Sequence, residues 1–265
     1  MTAPLPLRPF IDPLEPRRHL SASLKGDVLY VEGSSLSDSI LIRQEPGPTD
    51  APVYSVEIGP NDGSERPTLF FQFPAKSVQS ILVRAGSGKD LVDMAIATYA
   101  VPAIVGFAPV AVPTRVDAGL GDDQVYGGTA RDLVYGSFGN DQIFGGDGND
   151  FLVGGWGNDL LRGGRGDDFV SGGAGDDIVG GDDGNDRLFG GTGNDSLGSV
   201  GAGPHPTEPG NDLLFGGPGE DRLVGGEEKD RLFGGTGRDH FSRADDVSEM
   251  LDRTPDEPID IVLPV

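Results

Sequence analysis

A nine-residue repeat constrains this sequence more than any other feature. Residues 145–153, 154–162 and 163–171 each begin with Gly-Gly, carry glycine at position four and aspartate at position six, and have an aliphatic residue at position eight. The register runs without a break over residues 118–198 and resumes over residues 207–242, which gives thirteen copies. Repetition at a short fixed period predicts a solenoid, in which each unit contacts only its neighbours in the stack.

Each position of the repeat has a role that its residue type explains. The glycines at positions one, two and four permit a positive φ and close backbone approach in a tight turn. Positions seven to nine form a short strand, with position eight pointing inward. Two copies then make one coil with a strand on each side, and the inward aliphatic residues of stacked coils form a ladder. Because parallel crossovers are right-handed, we expect an all-β, right-handed parallel solenoid.

The consensus Gly-Gly-x-Gly-x-Asp-x-aliphatic-x resembles the RTX, or haemolysin-type, calcium-binding repeat. The resemblance covers residues 118–242, a little under half of the chain. It implies a parallel β-roll, a form of β-helix solenoid, with calcium ions held between successive turns on each edge. Oxygen ligands from both stacked turns then surround each ion.

The aspartates at position six are the candidate metal ligands. Stacking of alternate copies places them in two columns, and carboxylates repeated every ~4.8 Å repel one another unless they are protonated or metallated. Carboxylate and carbonyl oxygens suit calcium better than zinc or copper. The predicted ligands are Asp123, Asp132, Asp141, Asp150, Asp159, Asp168, Asp177, Asp186, Asp195, Asp212, Asp221, Asp230 and Asp239, with backbone carbonyls of turn residues such as Gly139, Gly146, Gly148, Gly155, Gly157, Gly164, Gly166, Gly173, Gly175, Gly191 and Gly193.

The gaps within the two columns set an upper limit of about 11 calcium ions. We expect weak or empty gaps where the motif fails, at Ala130, at Glu228 and at Thr207-Glu208-Pro209. In an alternative interpretation the aspartates only close Asx turns in a metal-free solenoid. Thirteen invariant aspartates favour calcium, whose binding then supplies the free energy of folding.

The segment before the repeats is β-rich and contains two degenerate copies. Residues 33–41 keep Asp38 and residues 85–93 keep Asp90. These copies favour irregular β-helical coils that cap the roll, and a separate small sandwich is the alternative. The predicted division of the chain is a leader or targeting segment at 1–23, a β-rich region at 24–117, the β-roll at 118–242 with an insertion at 199–206, and a C-terminal cap or tail at 243–265.

Charge and composition limit the partners. The formal charge of −23 excludes binding to nucleic acid or anionic lipid through counterion release, and no apolar run reaches the ~18 residues of a transmembrane segment. Residues 14–22 resemble the LEPR-XLL motif of secreted or surface proteins, with His19 in place of a leucine. We therefore expect a secreted, extracellular or cell-surface location and a structural or adhesive role.

A binding role and an enzymatic role are the alternatives. Phe189, Phe215 and Phe233 share position nine of one column, so the solenoid face is a candidate platform for a surface glycan or a protein. An ordinary aromatic ladder is the other interpretation of these residues. The sequence contains no His-Glu-x-x-His motif, nucleophile elbow or phosphate-binding loop, so no catalytic residue is predicted, and any active site is expected within residues 24–117.

Overall fold

The structure, a computed structural model, describes residues 20–47, 51–64, 67–95, 109–198, 210–226 and 229–242. Most of the predicted leader, the LEPR-XLL-like motif, the insertion at 199–206 and the predicted tail lie outside these residues. So do Thr207-Glu208-Pro209 and Glu228. Within the described part the only helix is a 3-10 turn, Ala75–Ser77, and no helix there is long and apolar enough to cross a membrane.

Two sheets run along the roll and are called sheet A and sheet B, with strands numbered in chain order. Sheet A contains, in spatial order, β1 (Ser21–Lys25), β2 (Val28–Glu32), β6 (Ser80–Ser87), β8 (Thr114–Leu120), β10 (Asp132–Phe138), β12 (Phe151–Trp156), β14 (Phe169–Ala174), β16 (Arg187–Thr192), β18 (Leu213–Pro218) and β20 (Arg231–Thr236). Sheet B contains, from its opposite end, β21 (His240–Ser242), β19 (Arg222–Val224), β17 (Ser196–Gly198), β15 (Ile178–Asp183), β13 (Leu160–Arg165), β11 (Gln142–Asp147), β9 (Gln124–Tyr126), β7 (Leu91–Asp93), β3 (Asp38–Pro46), β4 (Pro52–Pro60) and β5 (Leu69–Pro74).

The repeats alternate between the sheets, as a two-strand coil requires. Strand β11 pairs with β13 and β12 pairs with β14, in both cases parallel and with a step of 18 residues. The predicted parallel β-roll is therefore confirmed. Most repeat strands span six residues, from position seven to position three of the next copy, so they are twice as long as the repeat pattern predicts. The turn proper is confined to positions four to six.

The strands before the repeats extend both sheets. Strand β6 pairs in parallel with β8 on sheet A, and β7 pairs in parallel with β9 on sheet B. Antiparallel pairing begins only beyond them, where β1 lies against β2 and β4 lies between β3 and β5. The stack thus passes from a regular β-roll into a mixed sheet at its N-terminal end.

In the repeat region the core consists of the position-eight side chains, which point inward from both sheets and are aliphatic in every copy but the last. Every position-eight residue of the thirteen repeats is fully buried, from Val125 to Phe241. Val92 and Ile40 of the degenerate copies continue this row on sheet B. One inward side chain per strand is stabilised only by the coils above and below it, so the turns at the edges decide whether the stack holds.

Candidate metal centre

The aspartates of position six lie in two buried columns, one at each edge of the roll. All thirteen are at most 3 % exposed, although they are charged residues in turns. The first column also contains Asp90 and Asp38 of the degenerate copies, which are equally buried. Burial of so many carboxylates is unfavourable unless each is hydrogen-bonded, protonated or bound to a cation.

One oxygen of each carboxylate joins neighbouring coils. The Oδ1 atom accepts a hydrogen bond from the backbone N–H of the aspartate one coil earlier, for example from Asp123 to Asp141 and from Asp141 to Asp159, both at 2.8 Å. The second column repeats this pattern from Asp132 to Asp150 at 2.7 Å. The aspartate is therefore part of the stacking ladder, whichever ion it binds.

The other oxygen is buried in most turns without a hydrogen-bond donor. Because a buried acceptor of this kind costs about 1–3 kcal/mol, and more when it is charged, a row of them indicates a missing cationic partner. The Oδ2 atoms in this state include those of Asp123, Asp141, Asp150, Asp159, Asp168, Asp177, Asp195 and Asp221.

Space for a cation exists because position one is glycine. A Cβ atom built on Gly154 would meet Oδ2 of Asp159 at 2.2 Å and the carbonyl oxygen of Gly172, in the next coil, at 2.7 Å. A carboxylate oxygen and a carbonyl oxygen of the neighbouring turn thus border the same small volume. Oxygen donors of both kinds are what calcium prefers, so the residues of these turns fit that ion.

Side chains alone do not complete a site. Within the described residues no group of three or more histidine, cysteine, aspartate or glutamate side chains gathers around one point. The columns offer at most stacked pairs of carboxylates, so the remaining ligands of a six- to eight-coordinate calcium ion must be backbone carbonyls or water. The carbonyl ligands expected at the turn glycines stay a prediction.

Comparison with known families supports this chemistry. The family model of the RTX calcium-binding nonapeptide repeat matches four stretches, residues 117–152, 153–188, 180–197 and 207–241. These segments are RTX calcium-binding repeats. The matches span the two repeat blocks of the sequence and leave the first 116 residues outside. No curated protein matches the chain.

Electrostatics of the RTX columns favour a bound cation or a bound proton. Burial is the main cause that raises the pKa of Asp150 to about 8; a backbone hydrogen bond from Asp132 lowers this pKa, and the neighbouring charges of Asp132 and Asp168 raise it. Burial also raises the pKa of Asp141 and of Asp177 to about 7. At neutral pH, therefore, the ionised columns are unstable without positive charge.

A second ladder on the RTX turns was not predicted from the sequence. Position five is exposed, and its side-chain oxygen accepts the backbone N–H of position five in the next coil, as from Asn158 to Asn140 at 2.7 Å and from Asp176 to Asn158 at 3.0 Å. In this ladder the later coil donates the N–H and the earlier coil accepts it, whereas at position six the earlier coil donates. The repeat pattern by itself offers no signal for this contact.

The predicted outward stack of phenylalanines is confirmed. The ring centroids of Phe189 and Phe215 lie 4.9 Å apart and those of Phe215 and Phe233 lie 4.7 Å apart, with interplanar angles of 8° and 12°. The stack continues through Phe169 and Phe151, which occupy position seven. Since the ring faces cover one another and the rings are half-buried, this geometry favours an aromatic ladder that stabilises sheet A.

A different row of apolar residues is more exposed. Leu120, Phe138 and Trp156 occupy position three of successive coils on sheet A, where they are cross-strand neighbours. Their exposed fractions are 52 %, 53 % and 65 %. Three large apolar side chains in a row on a surface are typical of a contact site for another molecule.

The β-rich region carries one shallow groove of about 450 Å³ on the outer face of β3, β4 and β5. Its polar residues include Arg43, Glu45 and Glu57, beside the exposed ring of Phe70. Glu45 accepts a hydrogen bond from the side-chain amide of Gln72 at 2.9 Å. The lining contains no histidine and no cysteine, so it offers no activated nucleophile of the serine–histidine or cysteine–histidine type.

Proposed function

We propose that this calcium-binding repeat protein is secreted or displayed at a cell surface, that its β-roll folds when calcium binds, and that it serves a structural or adhesive role. The observation that carries the proposal is the row of buried Oδ2 atoms without hydrogen-bond donors, held in two columns of like charge. Binding of a divalent cation offsets the desolvation cost of these buried carboxylates and the repulsion between neighbouring carboxylates of a column. Metal affinity then becomes folding free energy.

The proposed ligands are the position-six aspartates together with carbonyl oxygens of the stacked turns. Extracellular calcium modules work with dissociation constants of ~10⁻⁴–10⁻³ M, and sites that weak are filled only where calcium is abundant. A chain of net charge −23 stays expanded by self-repulsion until then. This supports folding after export.

The test is to follow the full chain by far-UV circular dichroism and sedimentation velocity while calcium is added to chelator-treated protein. We expect an expanded chain without calcium and a compact β-rich one in millimolar calcium, with magnesium unable to replace it. A compact, ordered protein in metal-free buffer at neutral pH contradicts the proposal. So does an expanded chain that calcium leaves unchanged.

A binding module for a surface glycan or a protein is the second candidate. The row formed by Leu120, Phe138 and Trp156 favours it, because these side chains are half exposed or more on adjacent coils. Glycan-array and pull-down experiments with the calcium-loaded chain should show a ligand whose binding is lost in Trp156→Ala. Ile178→Ala, on the exposed face of sheet B, is the matched control and should bind as the parent does.

A further inference from the structure

Among the turns that the structure describes, two kinds can be distinguished by the partner of the aspartate Oδ2 atom. In what we call an open turn, Oδ2 accepts no hydrogen bond, position two has a positive φ and position four is glycine. The turn of Asp150 is an example, with φ of +105° at Gly146 and +134° at Gly148. Asp141, Asp159, Asp168, Asp177 and Asp195 lie in turns of the same kind.

In a sealed turn the protein itself supplies the donor for Oδ2. The backbone N–H of Gly128, at position two, donates to Oδ2 of Asp132 at 2.7 Å, while the N–H and hydroxyl of Thr114 donate to Oδ1 at 3.1 and 2.7 Å. Gly128 is not among the residues with positive φ. Both carboxylate oxygens of Asp132 therefore have hydrogen-bond donors from the protein itself.

Two further turns are sealed in the same way. The N–H of Ser34 donates to Oδ2 of Asp38 at 2.6 Å, with its hydroxyl at 2.7 Å, and the N–H of Gly226 donates to Oδ2 of Asp230 at 2.6 Å. In sequence these three copies, and no others among the fifteen, lack glycine at position four. They carry Leu36, Ala130 and Glu228 there.

The geometry of position four explains why this residue separates the two kinds. In open turns φ at this position lies between +124° and +158°, which a residue with a Cβ atom rarely adopts. A Cβ atom on Gly157 would also meet the carbonyl oxygen of Gly139, one coil away, at 1.9 Å. Any other residue therefore prevents the open turn, and the N–H of position two is then directed at the carboxylate.

From these observations we propose that position four decides which turns hold calcium, and that the turns of Asp38, Asp132 and Asp230 hold none. The inference rests on the proposed function, since it assigns sites within the same two columns.

The sealed turns stand at column ends: Asp38 and Asp132 each begin a column, and Asp230 is the last aspartate of the second column within the described residues. In the strand before Asp132, Thr114 stands at the position equivalent to the aspartate, so the column of carboxylates does not continue beyond this turn. A sealed turn closes such an end with hydrogen bonds instead.

The test counts calcium bound per chain, by metal analysis after equilibrium dialysis of the full chain at saturating calcium. Asp132→Asn and Asp150→Asn make the same chemical change at neighbouring aspartates of one column, the first sealed and the second open. We expect the parent stoichiometry in Asp132→Asn and a loss of at least one ion in Asp150→Asn. In Ala130→Gly, which allows the turn to open, we expect a gain of one ion.

Equal losses in Asp132→Asn and Asp150→Asn, or no gain in Ala130→Gly, overturn the inference. Crystals of the parent soaked in calcium supply a test that needs no variant, because density is expected in the gap after Asp150 and none in the gap after Asp132. An ion in the gap after Asp132 also overturns it. A parent chain that binds no calcium at all instead refutes the proposed function, so the two failures are distinct.

Discussion

Replacing Asp141 with asparagine tests the metal columns at one oxygen atom. In the structure Oδ1 of Asp141 accepts the backbone N–H of Asp123 at 2.8 Å, whereas Oδ2 is buried without a hydrogen bond. Asparagine keeps the shape and the Oδ1 acceptor but places an NH₂ group where Oδ2 was. The variant therefore removes one anionic ligand and leaves the stacking ladder in place.

We expect Asp141→Asn to lower the free energy of unfolding in calcium and to raise it without calcium. A site specific to the folded chain contributes about 2.7 kcal/mol at a free calcium concentration one hundred times its Kd, so loss of one ion lowers the free energy of unfolding by about that much. Without calcium, burial raises the pKa of Asp141 to about 7. Keeping this carboxylate ionised in the apo roll then costs roughly 2–4 kcal/mol, which asparagine avoids.

Urea unfolding followed by far-UV circular dichroism measures the loss in millimolar calcium. In chelator, a stabilising osmolyte is added to induce folding. The expected gain in stability then appears as a lower osmolyte concentration at the midpoint of folding. Asp147→Asn is the matched control, because it removes the same charge from a side chain that is 52 % exposed, and we expect little change in either buffer. If Asp141→Asn loses the same stability with and without calcium, the carboxylate is not a calcium ligand.

Three further predictions follow from the same turns and strands. In chelator, acidification should favour the roll, because burial raises the pKa values of Asp141 and Asp150 to about 7 and 8 in the folded chain. The stability that these groups confer is present below their unfolded pKa of about 4, declines as pH rises, and is lost once pH has passed about 7 to 8. Circular dichroism that is constant between about pH 5 and 8 contradicts this. Gly163→Ala should lower the calcium count by about one, since its Cβ would meet Oδ2 of Asp168 at 2.2 Å; an unchanged count in metal analysis places the ion elsewhere. Phe215→Ala breaks two ring stacks and should lower the free energy of unfolding by roughly 1–3 kcal/mol with the calcium count unchanged; a lost ion would mean that the ladder supports the columns.

The period of the sequence predicts which residues share a column, because stacking by whole coils is all that this requires. Asp123 and Asp141 lie one coil apart as expected, and Asp90 joins them although its copy is degenerate. The hydrogen-bond partner of each oxygen could not be predicted in this way. Whether the aspartate Oδ2 accepts the N–H of position two, as from Gly128, or is left for a cation depends on backbone φ values. The repeat pattern does not encode these φ values directly.

The sequence nevertheless held a usable signal at position four. The sequence predicts weak or empty gaps at Ala130 and Glu228. The structure gives a physical reason at Ala130, because in that copy the N–H of Gly128 occupies Oδ2 of Asp132. The Asx-turn interpretation does not describe this turn, because the donor N–H of Gly128 lies four residues before Asp132, whereas an Asx turn uses an N–H two residues after the aspartate. The sequence predicts only part of the aromatic ladder. Phe151 and Phe169 continue it from position seven. A comparison of equivalent positions does not reveal the diagonal contact between position seven of one strand and position nine of the next.

The step between Asp186 and Asp212 has a consequence for how this molecule can change length. The two residues are 26 apart in sequence, as are Asp195 and Asp221, instead of the 18 that separate Asp150 and Asp168, yet the backbone N–H of Asp186 still donates to Oδ1 of Asp212 at 2.8 Å. Added chain at this edge therefore alters neither the row of inward aliphatic side chains nor the stacking of the aspartates. A foreign peptide grafted into residues 199–206 should leave the roll intact, whereas one residue added within a strand would turn its inward side chain to the surface.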